Sequence, residues 1–323
     1  MSVKPSGPAR PPNVQLLEIE EDFAGQRVDN YLLRLLKGVP KSRIYRIIRK
    51  GEVRLNGKRI KPDTRLQTGD RLRVPPVRVS EGSDTRNIYL EKSIEKTILY
   101  EDKVVIIINK PEGIAVHGGS GISAGIIESL RHARPRERSL ELVHRLDRGT
   151  SGCLMIAKRR SYLKLLQAEL QRKNRLKKYY SVVTHGRWPP RKQHINAPIM
   201  RNILRSGERL SRVQPGGKEC LTEFRSTASD GQYSVLEAAP ITGRTHQIRV
   251  HCRYAGFPVV GDDKYGFEDE DRKLRIRGMK RLMLHAARLE IPALGDYPAI
   301  VVEAPVEGQM QRLIDEINMN IIS

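Results

Sequence analysis

The stretch 144–157 constrains this chain more than any other. It reads His144-Arg145-Leu146-Asp147-Arg148-Gly149-Thr150-Ser151-Gly152 and then Cys153-Leu154-Met155-Ile156-Ala157. The five-residue apolar run has strand length and follows turn-forming residues, so it predicts a buried strand fed by a loop. The loop holds Asp147 near the strand's entrance. Arg145 and Arg148 flank that carboxylate, and nearby opposite charge favours its ionised form. It is then available at neutral pH as a nucleophile or a base. The plainer reading is a structural ion pair, because ion-pair networks perturb carboxylates too.

Charge narrows the choice of partner. The chain has 323 residues, enough for two domains or one large domain with a small module, and a formal net charge of +22. Such an excess points to a polyanion. Mean hydropathy is −0.50, and no apolar run approaches the ~18–20 residues needed to cross a bilayer. No apolar signal segment opens the sequence. Three cysteines, Cys153, Cys220 and Cys252, fit neither a disulfide framework nor a metal spacing. The expected setting is the cytoplasm, without a membrane partner, and the expected state is a monomer.

Residues 1–13 are rich in Pro, Ser and Gly and read as a mobile tail. From Arg27 a compact basic module begins. Val28, Leu32, Leu33 and Leu36 recur at helical spacing. Gly38-Val39-Pro40 breaks that helix, and Ser42 can cap a second over 43–50, with Ile44, Ile47 and Ile48 inward. Gly51 stops it. Asn56-Gly57 between short strand-like runs is a hairpin signal, and 66–74 adds a further turn and strand. Between Arg34 and Arg73 lie fourteen Lys or Arg and three acids, which is half of the formal excess. So dense a charge repels itself without an anionic partner, although a charged helix face is often merely solvated. Two helices with a basic hairpin resemble an S4 RNA-binding domain, placed at 18–78. Such a module reads phosphates and shape, with Arg43, Arg46, Arg49, Lys50 and Lys58 as candidate RNA contacts. Composition shifts to Pro, Ser, Gly and acids over 75–92, which predicts a linker, set at 79–92.

The larger domain, 93–323, shows an apolar strand at 104–108, a turn at Asn109-Lys110-Pro111-Glu112-Gly113 and a glycine-rich turn at 117–121. A helix is expected over 122–132. Ser161 can cap another, with Leu163, Leu166 and Leu170 inward. A strand is expected over 179–184, with turns at Gly216-Gly217 and Asp230-Gly231. Thr245 is a possible cap for a helix over 246–254 that Gly256 stops. The segment 267–273, FEDEDRK, reads as a charged surface loop. A strand-like run over 281–289 carries His285, and 309–317 closes the domain as a short amphipathic helix. No strand–helix–strand repeat recurs, so the sheet is expected to be mixed.

Several chemistries compete. His144, Asp147, His246 and His251 are metal-ligand types. His246 and His251 are five residues apart, about 140° around a helix and on opposite faces of a strand, so one ion cannot hold both. No metal site is expected. No Gly-x-Ser-x-Gly elbow supports a hydrolase, and no glycine fingerprint follows a strand to seat a nucleotide cofactor. The 117–121 glycines lack the P-loop spacing. A non-enzymatic RNA-binding protein would explain the charge but not the remaining ~250 residues.

The motif HRLDRGTSG resembles that of the RluA family of RNA pseudouridine synthases. The likeness runs over roughly 18–318 through further motifs in order: the S4-like module, Asn109-Lys110-Pro111, His117-Gly118-Gly119, Lys178-Tyr179-Tyr180, Thr242-Gly243-Arg244-Thr245-His246-Gln247-Ile248-Arg249 and Leu284-His285-Ala286. It implies an α+β protein: a mixed, largely antiparallel β-sheet catalytic domain preceded by a small α/β S4 domain. It implies isomerisation of uridines to pseudouridine in large-subunit (23S) ribosomal RNA, with no cofactor. By resemblance Asp147 is the catalytic carboxylate, acting covalently or by stabilising charge at C1′. Tyr180, rather than Tyr179, packs on the base, and Arg249 is the basic partner of Asp147 through a two-pronged pair. His144 and Arg145 shape the loop or bind RNA phosphates.

Overall fold

The computed structural model describes residues 13–36, 39–77, 88–118, 125–137, 139–172, 175–203 and 209–322. Residues 1–12 of the expected tail (1–13), the break at Gly38, residues 79–87 of the expected linker (79–92), the glycines at 119 and 121 and the helix start at 122–124 lie outside them. Two units are resolved, Met1–Thr85 and Arg86–Ser323.

In the first unit strands β1 (Gln15–Glu18), β2 (Arg54–Leu55), β3 (Lys58–Arg59) and β4 (Arg71–Val74) form an antiparallel sheet in the order β1-β4-β2-β3. Helices α1 (Val28–Leu35) and α2 (Lys41–Arg49) bury Val28, Leu32, Ile44, Ile47 and Ile48 in one cluster with Leu66 and Leu72. The apolar stripes therefore face where their spacing directs them. Ser42 does not cap α2: it lies inside the helix, whose N-cap is Pro40 without a side-chain bond. Asn56 and Gly57, at φ 51° and 77°, form the hairpin turn between β2 and β3. β1 begins before the expected boundary at 18. Its Leu16 is 76% exposed, so the strand carries too little buried pattern to be read. It is held instead by its pairing with β4.

The second unit is built on a ten-stranded sheet. Its strands are β5 (Ile98–Glu101), β6 (Val105–Lys110), β7 (Glu141–Leu142), β8 (Ser151–Ala157), β9 (Lys177–His185), β10 (His194–Asn196), β13 (Leu221–Ser229), β14 (Tyr233–Pro240), β15 (Leu284–Ile291) and β16 (Ile300–Glu303). A separate hairpin joins β11 (Ile199–Ile203) to β12 (Arg209–Val213). The path runs β10-β13-β14-β9-β15-β8-β6-β5, with β16 on β15 and β7 on β8. Every pairing is antiparallel except β15 with β8. The sheet is mixed and largely antiparallel, and the fold is α+β.

Helices α3 (Ile88–Ile94), α4 (Ile126–Ala133), α5 (Arg160–Gln171), α6 (Gln247–Tyr254), α7 (Glu268–Ile276) and α8 (Gly308–Ile322) complete the unit. Four local expectations give way. α3 occupies the end of the expected linker, because Leu90 and Ile94 bury into the main core. Ser161 lies within α5, and the N-caps of α5 and α6 are Arg159 and His246, neither with a side-chain cap bond. Thr245 therefore does not cap α6. FEDEDRK is not a loop but the start of α7. Four acids occupy its first turn and Lys273 and Arg275 its last, the arrangement a helix dipole favours. Asp271 is buried and accepts from His185 Nε2 (2.9 Å) and Gly261 N (2.8 Å), which ties α7 to β9 and to the loop that follows Val260. Among the described residues no helix is long and apolar enough to cross a membrane.

Candidate active site

The site lies where β8 meets β15. The parallel register sets His285 against Ser151 and Ala286 against Gly152. His285 Nε2 donates to Ala304 O (3.0 Å), which leaves Nδ1 to accept from the Ser151 hydroxyl (2.7 Å). Arg281 Nη2 donates to the same hydroxyl oxygen (2.6 Å). Gly152 has φ 104°, and a Cβ there would stand 2.3 Å from Ala286 O. The glycine that ends HRLDRGTSG and the Leu-His-Ala motif are thus two sides of one contact. Together they hold the entrance of β8, and with it the Asp147 loop.

That loop is tied from three further directions. The Lys110 ammonium, fully buried, donates to Pro111 O (2.7 Å), Ile114 O (2.8 Å) and Arg148 O (3.2 Å). Burial foremost, and the Arg281 charge next, push Lys110 down to about 7, against Asp147 and Glu112. Arg148 Nε donates to Gly113 O (2.7 Å). His144 Nε2 accepts from Met155 N (3.2 Å), and burial, aided by the Lys178 charge, pushes the imidazole down to about 3. A neutral ring is what an accepting nitrogen requires. Of the two roles expected for His144, this geometry serves the shaping of the loop. Arg145 is exposed beside Asp147.

Asp147 is about one-third exposed, at 31% of its side chain. Among the described residues the side chains that approach its carboxylate are not Arg145 and Arg148 but Arg249 and His246. Arg249 Nη1 stands 3.5 Å and His246 Nε2 3.8 Å from the same oxygen, Oδ2. The two-pronged pair expected between Arg249 and Asp147 is made elsewhere. Arg249 Nε donates to Asp262 Oδ2 (2.7 Å) and Nη2 to Asp262 Oδ1 (2.6 Å), with Asp263 Oδ1 3.0 Å from Nη2. The fork fits Asp262 because that carboxylate is fully buried and already fixed by the backbone N–H groups of Lys264 and Tyr265, each 3.0 Å away. Burial opposes the guanidinium's charge, but Asp262, Asp147 and Asp263 more than offset it. A cation is thereby held with one nitrogen turned to Asp147.

Tyr180 is buried on β9, which pairs with β15 on one side and β14 on the other. Burial, and after it the Asp147 charge, raise its phenol above the ordinary range, so it is a neutral hydroxyl within electrostatic reach of Asp147. Its neighbour Tyr179 is instead covered by Arg288, 4.1 Å above the ring. His251 is bonded to Thr222 (2.8 Å) and Ala197 O (3.1 Å), apart from His246. No group of three or more His, Cys, Asp or Glu among the described residues is gathered to hold a metal ion. In the first unit Arg43, Arg46, Arg49, Lys50 and Lys58 are all exposed. Sequence reasoning missed Asp262 and Tyr265. Both lie in the turn after Val259-Val260-Gly261, where a glycine followed by two acids reads only as a loop.

A family model described as RNA pseudouridylate synthase matches residues 104–254, and an S4 domain model matches 26–72. The chain belongs to the RNA pseudouridylate synthase family and carries an S4 domain; it is an RNA-binding isomerase. It is 48% identical over 309 residues to "Ribosomal large subunit pseudouridine synthase C" of Salmonella typhi, covering 94% of this chain and 97% of that one. The protein of the same name from Haemophilus influenzae is 49% identical over 310 residues, covering 94% and 95%. Among solved structures, "Human RNA Pseudouridylate Synthase Domain Containing 4" shares the fold at TM-score 0.57 and 24% identity, over 71% of this chain and 96% of that one.

Proposed function

We propose that this enzyme converts uridines of large-subunit ribosomal RNA to pseudouridine, with Asp147 as the catalytic carboxylate. One observation carries the assignment of Asp147. It is a partly exposed carboxylate facing a guanidinium that a buried aspartate has already fixed. Such preorganised charge needs little rearrangement when the reaction begins. The substrate follows from the names and near-full-length coverage of the relatives.

The reaction breaks the bond from ribose C1′ to uracil N1, turns the base and forms the bond from C1′ to C5. C5 loses a proton and N1 gains one, so atoms and electrons balance without an oxidant or a group donor. Asp147 acts at C1′, by attack or by meeting the positive charge that develops there. Arg249, with Nη1 3.5 Å from Oδ2, holds the carboxylate in place. Tyr180 supplies a ring against the base and a neutral hydroxyl for a proton at the sugar. A uridine stacked in RNA must first be extruded, at a cost of a few kcal/mol. Arg145, exposed beside Asp147, contacts the RNA backbone on this reading, while Arg43, Arg46, Arg49, Lys50 and Lys58 bind phosphates. The setting is that of ribosomal RNA, the bacterial cytoplasm.

The test is a pseudouridine map of ribosomal RNA from cells with and without this gene. Loss of discrete large-subunit sites, restored by the wild-type gene but not by Asp147→Asn, is the expected result. An unchanged map would overturn the substrate assignment.

A further inference from the structure

We infer that His246 is a positioning residue for the Asp147 carboxylate, with its ring set by Tyr265. This rests on the reading of Asp147 given above. His246 and Asn56 are the only described non-glycine residues at positive φ. His246 sits in the left-handed region at φ 55°, ψ 24°, immediately before α6, where a side-chain-bearing residue is uncommon. The adjoining chain enforces this. Gln247 Oε1 accepts from Arg244 N (3.0 Å) and Thr242 Oγ1 (2.9 Å), and its Nε2 donates to Leu221 O (2.9 Å) and Thr222 Oγ1 (3.0 Å). An unfavourable backbone conformation persists where its surroundings over-determine it.

The inferred role selects the tautomer. Tyr265 Oη accepts from Ser211 N (3.0 Å) and lies 2.8 Å from His246 Nδ1, where it can give its own hydrogen or accept one. On the inference it gives, so that Nε2 carries the ring's hydrogen and faces Asp147 Oδ2 at 3.8 Å. Arg249 approaches that same oxygen. Both groups approach Oδ2, and on the inference Oδ1 is the oxygen presented to the sugar. The groups around the ring are Asp147 on the motif loop, Arg249 on α6, and Asp262, Lys264 and Tyr265 on the loop after α6. Burial disfavours the imidazolium most; Asp147 and Asp262 favour it, Arg249 and Lys264 disfavour it, and the net direction is down. A neutral ring can give Asp147 a hydrogen bond without adding another full charge. The 3.8 Å separation closes when the extruded uridine excludes water, since catalytic contacts are often long in the free enzyme.

The experiment measures kcat, KM and melting temperature on a ribosomal RNA transcript for His246→Ala, His246→Gln, Tyr265→Phe, the Tyr265→Phe/His246→Ala double variant and Asp147→Asn. His246→Ala is expected to lower kcat roughly 10- to 100-fold with KM nearly unchanged, less than the ~10²–10³-fold lost with a donor that touches the reacting oxygen itself. His246→Gln, which keeps a donor, should recover much of that. The double variant should be no worse than His246→Ala alone, because both residues act through one contact. Wild-type kcat in His246→Ala beside an inactive Asp147→Asn would overturn the role of His246 alone. Turnover by Asp147→Asn would instead remove the reading of Asp147. If His246→Gln is no better than His246→Ala and both lose melting temperature in step with kcat, the ring is mere packing and the inference fails.

Discussion

Arg249 commits its fork to Asp262 and only its remaining nitrogen to Asp147. Removing the guanidinium therefore strands a fully buried carboxylate before it affects any chemistry. Arg249→Ala is predicted to cost ~3–5 kcal/mol in urea unfolding, the usual penalty for breaking a buried pair. Arg249→Lys should fall between, keeping the charge and losing the fork. His144 gives a pH signature. Its folded value is pushed down to about 3, so the unfolded chain binds the extra proton first as pH falls. The stability it contributes is complete above about 6.5, the ordinary histidine value, and is lost as pH falls toward 3. Denaturation at a series of pH values should show a shallower acid loss in His144→Gln. Asp147 and Arg249 were legible as residues because a motif marks them. Asp262 was not, because its pairing with Arg249 is made in space, with neither periodicity nor motif to announce it.

Elements were legible where an apolar pattern lines a core. The stripes of α1, α2 and α5 and the run of β8 lie where spacing put them. α7 was not, because its inward side is only Leu274 and the buried Asp271, and a buried aspartate looks like surface until His185 is found opposite it. The cap assignments at Ser42, Ser161 and Thr245 failed for a related reason. A hydroxyl near a helix start is compatible with capping, but the turn of the incoming chain decides which residue stands at the N-cap. At this scale Gly152 carries the sharpest prediction. Gly152→Ala would press a methyl against Ala286 O at 2.3 Å and must part β15 from β8. A loss of ~2–3 kcal/mol is expected from overpacking, read as a lowered urea midpoint. Activity should fall with it, since the same contact holds the Asp147 loop.

For the whole molecule, charge and chemistry are divided between two units. Half of the +22 excess lies between Arg34 and Arg73, in the S4 domain, and the aspartate site lies in the other unit. The second unit has its own core, with Leu90 and Ile94 of α3 included. Deleting residues 1–80 is predicted to weaken RNA binding and flatten its salt dependence, by about 0.7–0.9 in log–log slope for each phosphate no longer neutralised. Unchanged affinity and slope, measured by filter binding across salt concentrations, would mean that the S4 face meets something else. The concentration of basic residues between Arg34 and Arg73 was visible in composition. On the proposed mechanism a single carboxylate, held by Arg249, performs the isomerisation. Purified Asp147→Asn on ribosomal RNA, with pseudouridine formation, RNA affinity and melting temperature followed together, is the decisive measurement. Wild-type folding and binding with no pseudouridine formed is the expected result; turnover near wild type would remove Asp147 from the chemistry.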